Sequence, residues 1–261
     1  MPGSGTWDVI FGTESDQLVL CVDFPVVGRR EAGFAELATK IGTNYRFLQA
    51  KLPGSPPGPR FSGAAYVCRW IDEIQGRPIA AVLGRRVGSV YATALAEGIS
   101  HWQQEPRLIL FDPQYATVRL LGLELHREIE AISSLLSDDE IERTGKLAAE
   151  LAESECCDVV DAAAAATGIY WEISSVAYDR VGIGGNYCRK SFDPFASYMS
   201  LISAAGELDP SQAWERSTAI VSLPADDTCG IVGHSIPFEI SHADLLRSDP
   251  VAKKVLELLD S

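Results

Sequence analysis

The segment Gly84-Arg85-Arg86-Val87-Gly88 follows the apolar run Pro78-Ile-Ala-Ala-Val-Leu83 and leads into the helical pattern Ser89 to Glu97. A strand that turns sharply into a helix between two glycines presents its middle side chain above the sheet. A hydrolytic nucleophile stands at that place. Here the middle residue is Arg86, and a guanidinium stays protonated at ordinary pH, with no lone pair to attack a carbonyl. It can instead bind a carboxylate, phosphate or enolate bidentately, or polarise a carbonyl in a site shielded from water. Ser89 lies about one helical turn beyond the tip and is expected to pack inside the helix. None of the six cysteines ends a strand before a helix, and none forms a CxxC pair, so neither a thiolate nucleophile nor a metal site is expected. Cys21 and Cys68 fall in apolar segments and read as small buried hydrophobes. The glycine-rich Val181-Gly-Ile-Gly-Gly-Asn186 follows no strand and opens no clear helix, so it reads as a turn rather than a phosphate loop.

The elements that must hold this turn alternate. Trp7 to Phe11 and Gln17 to Phe24 are short β-rich runs, Phe34 to Ile41 is amphipathic at helical spacing, and Tyr45 to Leu52 is a strand. Ala64 to Gln75 is a helix with Tyr66, Val67, Trp70, Ile71 and Ile74 as its apolar stripe. Pro78 to Leu83 is apolar throughout, as a strand buried on both faces of a parallel sheet must be, and Arg107 to Asp112 is the next strand. This rhythm specifies an α/β fold with a mostly parallel, doubly wound sheet. From Leu123 to about Trp214 the pattern is helical. Strands then return at Thr218 to Leu223 and Ile236 to Ile240, and Asp249 to Leu259 is a closing amphipathic helix. The expected organisation is a core formed by residues 1–122 and 217–261, with an inserted helical lid over 123–216.

A formal charge of −14 excludes a phosphate-binding nucleic-acid surface, which needs clustered Lys and Arg. Between Glu124 and Asp161 twelve acids face only Arg127, Arg143 and Lys146, which marks a solvated helical face. The apolar runs are too short to cross a bilayer. Residues 1–6 lack the charged and apolar regions of an export signal, so no membrane association and a cytoplasmic location are expected.

With these residues in order, the chain resembles the stand-alone (type II) and integrated thioesterases of polyketide and non-ribosomal peptide synthesis. Their pattern is a strand, G-[HW]-S-x-G-[GSA], then a helix of small residues. Here it reads Leu83-Gly-Arg-Arg-Val-Gly-Ser89, with Arg85 at the His/Trp position and Arg86 at the Ser position. Phe24-Pro-Val-Val-Gly-Arg-Arg-Glu-Ala-Gly-Phe34 is similar to the family's F-P-x-A-G-G-x-x-x-x-F loop, with Val27 for Ala and Arg29 for the second Gly. Leu52-Pro-Gly54 matches its L-P-G. Ile240-Ser-His-Ala-Asp-Leu-Leu246, with Pro250-Val-Ala252 beyond, is similar to G-x-H-F-x-[ML]-L and P-x-V-A.

The resemblance implies an α/β-hydrolase fold with an inserted helical lid and no cofactor. It places His242 at the catalytic histidine and Asp226 or Asp227 as the acid that orients it. The backbone amides of Val27 and Val87 take the oxyanion role, while Arg29 and Arg30 flank the same site as Arg85 and Arg86. The four guanidinium groups either converge on an anionic or carbonyl ligand, or Arg30 and Arg85 face water while Arg29 and Arg86 pair with acids.

Three functions follow from the resemblance. One is an enzyme of natural-product biosynthesis acting on an acyl or peptidyl intermediate, free or on a phosphopantetheinyl carrier protein, without a serine acyl-enzyme. It would use His242 as acid/base and Arg86 as binding or polarising group, for cyclisation, elimination or thioester cleavage. A second is a catalytically inactive homologue that binds a carrier protein or synthase partner. The third is an ordinary thioesterase whose nucleophile lies elsewhere. Carrier proteins are usually acidic, and the acidic 124–161 segment repels such a partner over a Debye length of ~8 Å at physiological salt.

Overall fold

The computed structural model describes residues 5–12, 15–24, 31–42, 44–51, 61–154, 157–183, 186–224 and 232–260. The chain divides into two compact units, one comprising Met1–Pro56, Phe61–Tyr115 and Glu207–Ser261, the other Pro57–Arg60 and Ala116–Gly206.

Among the described residues the first unit is built on seven strands: β1 Trp7–Phe11, β2 Leu18–Val22, β3 Arg46–Ala50, β4 Ile79–Arg85, β5 Arg107–Phe111, β6 Thr218–Ser222 and β7 His234–Phe238. Their order across the sheet is β1-β3-β2-β4-β5-β6-β7. β1 runs antiparallel to β3 and every other pair is parallel. Central β2 is buried at all five positions, as the continuous apolar run requires of a strand covered on both faces. Among the described residues β7 pairs only with β6, and an edge strand accommodates Pro237, which cannot donate to a second neighbour.

Helices α1 Phe34–Ile41, α2 Gly63–Ile74 and α3 Gly88–Ile99 follow β2, β3 and β4. Val19, Cys21, Ala81 and Leu83 of β2 and β4 form one core with Phe34 and Leu37 of α1. The closing helix (Asp249–Asp260) adds Val251, Val255 and Leu259 to it. Phe24, Tyr66, Trp70 and Tyr91 form an aromatic cluster, with Trp70 and Tyr91 edge to face at 5.4 Å. Cys21 is buried in the first core. Cys68, expected to be buried, is exposed, because α2 turns Tyr66, Val67, Trp70 and Ile74 inward and position 68 falls outside that stripe.

The second unit is helical among its described residues, with α4 Val118–Ala131, α5 Asp138–Ala152, α6 Val159–Arg180 and α7 Asn186–Ala205. Thr117, Ser137 and Asp158 cap the first three through side-chain oxygens that accept N3 amides. Gly122 lets α4 approach α5 so closely that a Cβ there would lie 2.5 Å from the Ala152 Cβ. The short helix α8 Ser211–Trp214 belongs to the sheet unit, where the Trp214 indole N–H donates to Thr93 Oγ1 at 2.9 Å. No helix among the described residues is long and apolar enough to cross a membrane.

Glu140 closes a capping box with Ser137 and accepts two hydrogen bonds from Arg180 at 2.7 and 2.9 Å. The Arg180 bonds, followed by those from Ser137, pull its carboxyl down from 4.5 to about 2. A depressed acid stabilises the fold above its unfolded pKa, and that contribution is lost as pH falls through the folded value. The stability gap between wild type and Glu140→Gln is therefore expected to be full at pH 7 and to close between pH 4.5 and about 2. Urea midpoints of the two proteins across this range measure it.

Candidate functional site

The candidate groups lie at the carboxyl ends of the parallel strands, the edge where doubly wound sheets build their sites. Arg85 ends β4, Asp23 and Asp112 follow β2 and β5, and His242 opens the 3-10 segment His242–Arg247 beyond β7.

The turn after β4 is an elbow. Arg86 has φ +50°, the left-handed region that costs a non-glycine residue roughly 1–2 kcal/mol. Its amide donates to the Phe111 carbonyl at 3.0 Å, and its carbonyl accepts from Ser89 and Gln114 at 3.0 and 3.2 Å. The bracketing glycines are required by contact: a Cβ on Gly84 would meet the Ser89 Cα at 2.6 Å, and one on Gly88 the Val22 carbonyl oxygen at 2.3 Å. α3 can therefore pack this tightly on β2 and β4 only with both glycines. The Val87 amide lies at the helix entrance, where the first N–H groups have no acceptor within the helix. Ser89 is fully buried, and its hydroxyl has no hydrogen-bond partner among the described residues, which removes it as a nucleophile.

Strand alternation decides where Arg85 goes. Ala81 and Leu83 face the core shared with α1 and the closing helix, and Arg85 continues that face two residues on. It is only 3% exposed. Its Nη1 donates to the Ala32 carbonyl at 2.7 Å and lies 3.5 Å from Asp23 Oδ2, while Nη2 lies 3.2 Å from Glu31 Oε2. The same Nη2 is 3.0 Å from His242 Nε2 and 3.1 Å from the His242 carbonyl oxygen. Burial raises the Asp23 carboxyl above its ordinary value, against the pull of Arg85 and Arg86.

His242 Nδ1 is hydrogen-bonded to Asp112 Oδ2. Asp112 is itself oriented from the next strand: its Oδ1 accepts the Ser222 amide at 2.7 Å, and its own amide donates to the Ile220 carbonyl at 3.1 Å. Like Arg86 it has positive φ, +42°. A carboxylate on one side and an obligate donor on the other fix the imidazole tautomer, with the proton on Nδ1 and the lone pair of Nε2 directed at Arg85. In a nucleophile–histidine–acid triad, Nε2 takes the proton of the attacking group. Here the Arg85 guanidinium occupies that nitrogen.

Arg86 is held more loosely. Its Nη2 lies 3.4 Å from Glu31 Oε1, and its Nε is buried with no partner among the described residues. The structure thus brings Arg85, Arg86, Glu31, His242 and Asp112 together. Arg29, Arg30, Val27, Asp226 and Asp227 lie outside the described residues. Arg85, one of the side chains expected to bind ligand or face water, is turned inward onto His242. Asp112, Asp23 and Glu31 were not singled out in the sequence, although an acid ending each of two buried parallel strands is a readable signal. Among the described residues no cluster of His, Cys, Asp and Glu could hold a metal ion.

No family model and no curated protein matches the chain. Solved structures do resemble it. The NocB thioesterase domain, in covalent complex with a fluorophosphonate nocardicin G analogue, is 14% identical, with a TM-score of 0.53 over 95% of this chain and 96% of that one. A bromoperoxidase from Bacillus anthracis is 12% identical, with a TM-score of 0.51 over 98% and 95%. A meta-cleavage product hydrolase from Pseudomonas fluorescens is 11% identical, with a TM-score of 0.51 over 97% and 93%. At these identities the likeness establishes the fold, which is that of the α/β-hydrolases.

Arg85→Leu would leave Asp23 and Glu31 without their shared cation, and stripping one partner from a buried ion pair costs about 3–5 kcal/mol. Arg86→Leu removes one long contact and is expected to cost no more than about 1 kcal/mol. Urea unfolding of both variants at pH 7 tests the contrast, and equal losses would contradict it.

Proposed function

We propose that the chain is a thioesterase-like protein of natural-product biosynthesis that holds an acyl or peptidyl intermediate, free or on a phosphopantetheinyl carrier, without forming a serine acyl-enzyme. The observation that carries this reading is the Arg85 donor on His242 Nε2, beside an elbow whose tip is Arg86. With no nucleophile at the tip and the base nitrogen engaged by a permanent cation, both halves of acyl transfer are missing. The resemblance in motif order, and the fold shared with a thioesterase domain from the nocardicin cluster, support the substrate class.

A second reading has its own observation. The His242–Asp112 pair keeps the geometry of an oriented imidazole, which favours an enzyme that uses His242 as acid/base for cyclisation, elimination or water-mediated cleavage once Arg85 moves aside. The two readings differ in turnover.

With an octanoyl-phosphopantetheine thioester and a thiol-reactive dye, wild type is expected to release thiol no faster than buffer. Arg86→Ser alone is expected to stay inactive, because Arg85 still occupies Nε2. Only the double variant Arg85→Trp/Arg86→Ser is expected to gain hydrolysis and stoichiometric labelling by a fluorophosphonate. Wild-type turnover that disappears in His242→Ala would overturn the non-hydrolytic reading in favour of the second.

A further inference from the structure

At the opposite end of the sheet from the elbow, a cavity of about 580 Å³ opens between β5, β6 and the closing helix. Arg107 and Thr218 begin β5 and β6, and Thr218 is the register partner of Ile109. Strand alternation puts Arg107 on the face of Ile109 and Phe111, and Thr218 on that of Ile220. This is the face that packs against the closing helix. Arg107 and Asp112 are five residues apart on one extended segment, roughly 16 Å, so the cavity is separate from the groups around His242. Leu108, Ile109, Ala213 and Leu258 give it an apolar wall. Its volume falls within the range of small-molecule pockets, about 300–1,000 Å³.

Two guanidinium groups line this cavity, and each is anchored through one nitrogen. Arg107 Nη1 donates at 2.8 Å to the Leu259 carbonyl, one of the last four of the closing helix, which lack a donor within the helix. Arg216 Nε donates to the Gln212 carbonyl at 3.3 Å. The turn that carries Arg216 is itself fixed, because the Ala213 carbonyl accepts both the Arg216 amide at 3.1 Å and the Ser217 hydroxyl at 2.7 Å. Side chains held in this way lose less rotamer freedom when a ligand binds. Neither guanidinium has an ion-pair partner among the described residues, which leaves Arg107 Nε and Nη2 and both Arg216 Nη atoms as unused donors. Glu105 is the one carboxylate among the described residues of the lining. Asp260, close by on the closing helix, accepts from the Tyr45 hydroxyl at 3.1 Å and lies outside the lining. Two cations against one anion leave the lining short of a single negative charge.

We infer that this cavity binds a small organic acid, an apolar body that carries one carboxylate. The carboxylate meets Arg107 and Arg216, and the body lies along Leu108, Ile109, Ala213 and Leu258. The two Nη atoms of Arg216 can take both carboxylate oxygens side by side, the strongest form of this contact. One negative charge balances the lining. A phosphate monoester, at about −1.5 to −2 near neutral pH, exceeds that balance, and a neutral amide leaves it unmet. Neither arginine belongs to the elbow, so the site stands whether or not the protein turns over a thioester.

NMR titration of the isotope-labelled full chain with sodium 4-phenylbutyrate, against 4-phenylbutanamide as the uncharged analogue, tests the site. Wild type is expected to bind the acid at least fivefold more tightly than the amide, with the Leu108 and Ser217 amide signals shifting as it binds. The double variant Arg107→Gln/Arg216→Gln is expected to lose that preference. No saturable binding of the acid, equal binding of acid and amide, or shifts confined to the Arg86 and Val87 amides overturns the inference. So does a double variant that keeps the wild-type preference. Should the double variant fail to fold for want of the Arg107 bond to the closing helix, Arg216→Gln alone decides. It is expected to weaken the acid at least threefold and leave the amide unchanged, and an unchanged affinity for the acid overturns the inference. 4-Phenylbutyrate has no scissile bond, so this result is independent of thioester turnover.

Discussion

The buried guanidinium of Arg85 constrains everything at the carboxyl edge of the sheet. Removing a charge of this size from water costs several kcal/mol even after relaxation, and the cost is offset only where its donors are met. Its Nη1 and Nη2 donors are met from three separate places: Asp23 after β2, the Ala32 carbonyl and Glu31 before α1, and both the ring and the carbonyl of His242 beyond β7. One side chain therefore ties together the ends of strands far apart in sequence. The same bonds that make it tolerable inside the protein close the nitrogen through which the histidine would act.

The elbow needs a different explanation. Its shape does not depend on the chemistry at its tip. It follows from helix α3 lying directly against β2 and β4, which demands glycine at 84 and 88 and a left-handed residue between them. A chain with this packing keeps the turn whatever stands at position 86. That is why the motif could be read through two substituted positions, and why reading it said little about the reaction. The oriented pair of His242 and Asp112 belongs to the same frame, since Asp112 is held by the Ser222 amide of β6 and by its own left-handed backbone.

Much of the fold was legible because it is written in local periodicity. The fully apolar Pro78 to Leu83 run and the alternation of strand and helix reappear as elements with ends shifted by a residue or two, while the helical stretch before Thr218 begins at Val118 rather than Leu123. The site was less legible because its partners are distant. His242 and Asp112 are 130 positions apart, and Arg85 and His242 are 157. No window of sequence reports such a pairing. Some of it was nevertheless available. Continuing the period of two from Ala81 and Leu83 puts Arg85 on the core face, and Asp23 and Asp112 close buried strands beside the elbow. Cys68 shows the converse limit: an apolar neighbourhood along the chain does not fix the side of a helix on which a residue falls.

The energetic balance of the site argues against treating it as a mere remnant of lost chemistry. A nucleophile can be lost by any substitution, and glycine at position 86 would also spare the fold the left-handed strain that a Cβ brings. Instead the site contains two guanidinium groups, each with a buried Nε lacking a partner among the described residues, and a glutamate that accepts a hydrogen bond from Arg85 at 3.2 Å and lies 3.4 Å from Arg86. Strain and unmet donors persist in a folded protein only when the surroundings over-determine them, and they gather where a ligand completes the arrangement. The two guanidinium groups stand against three carboxylates, Asp23, Glu31 and Asp112, so their charge is balanced within the site.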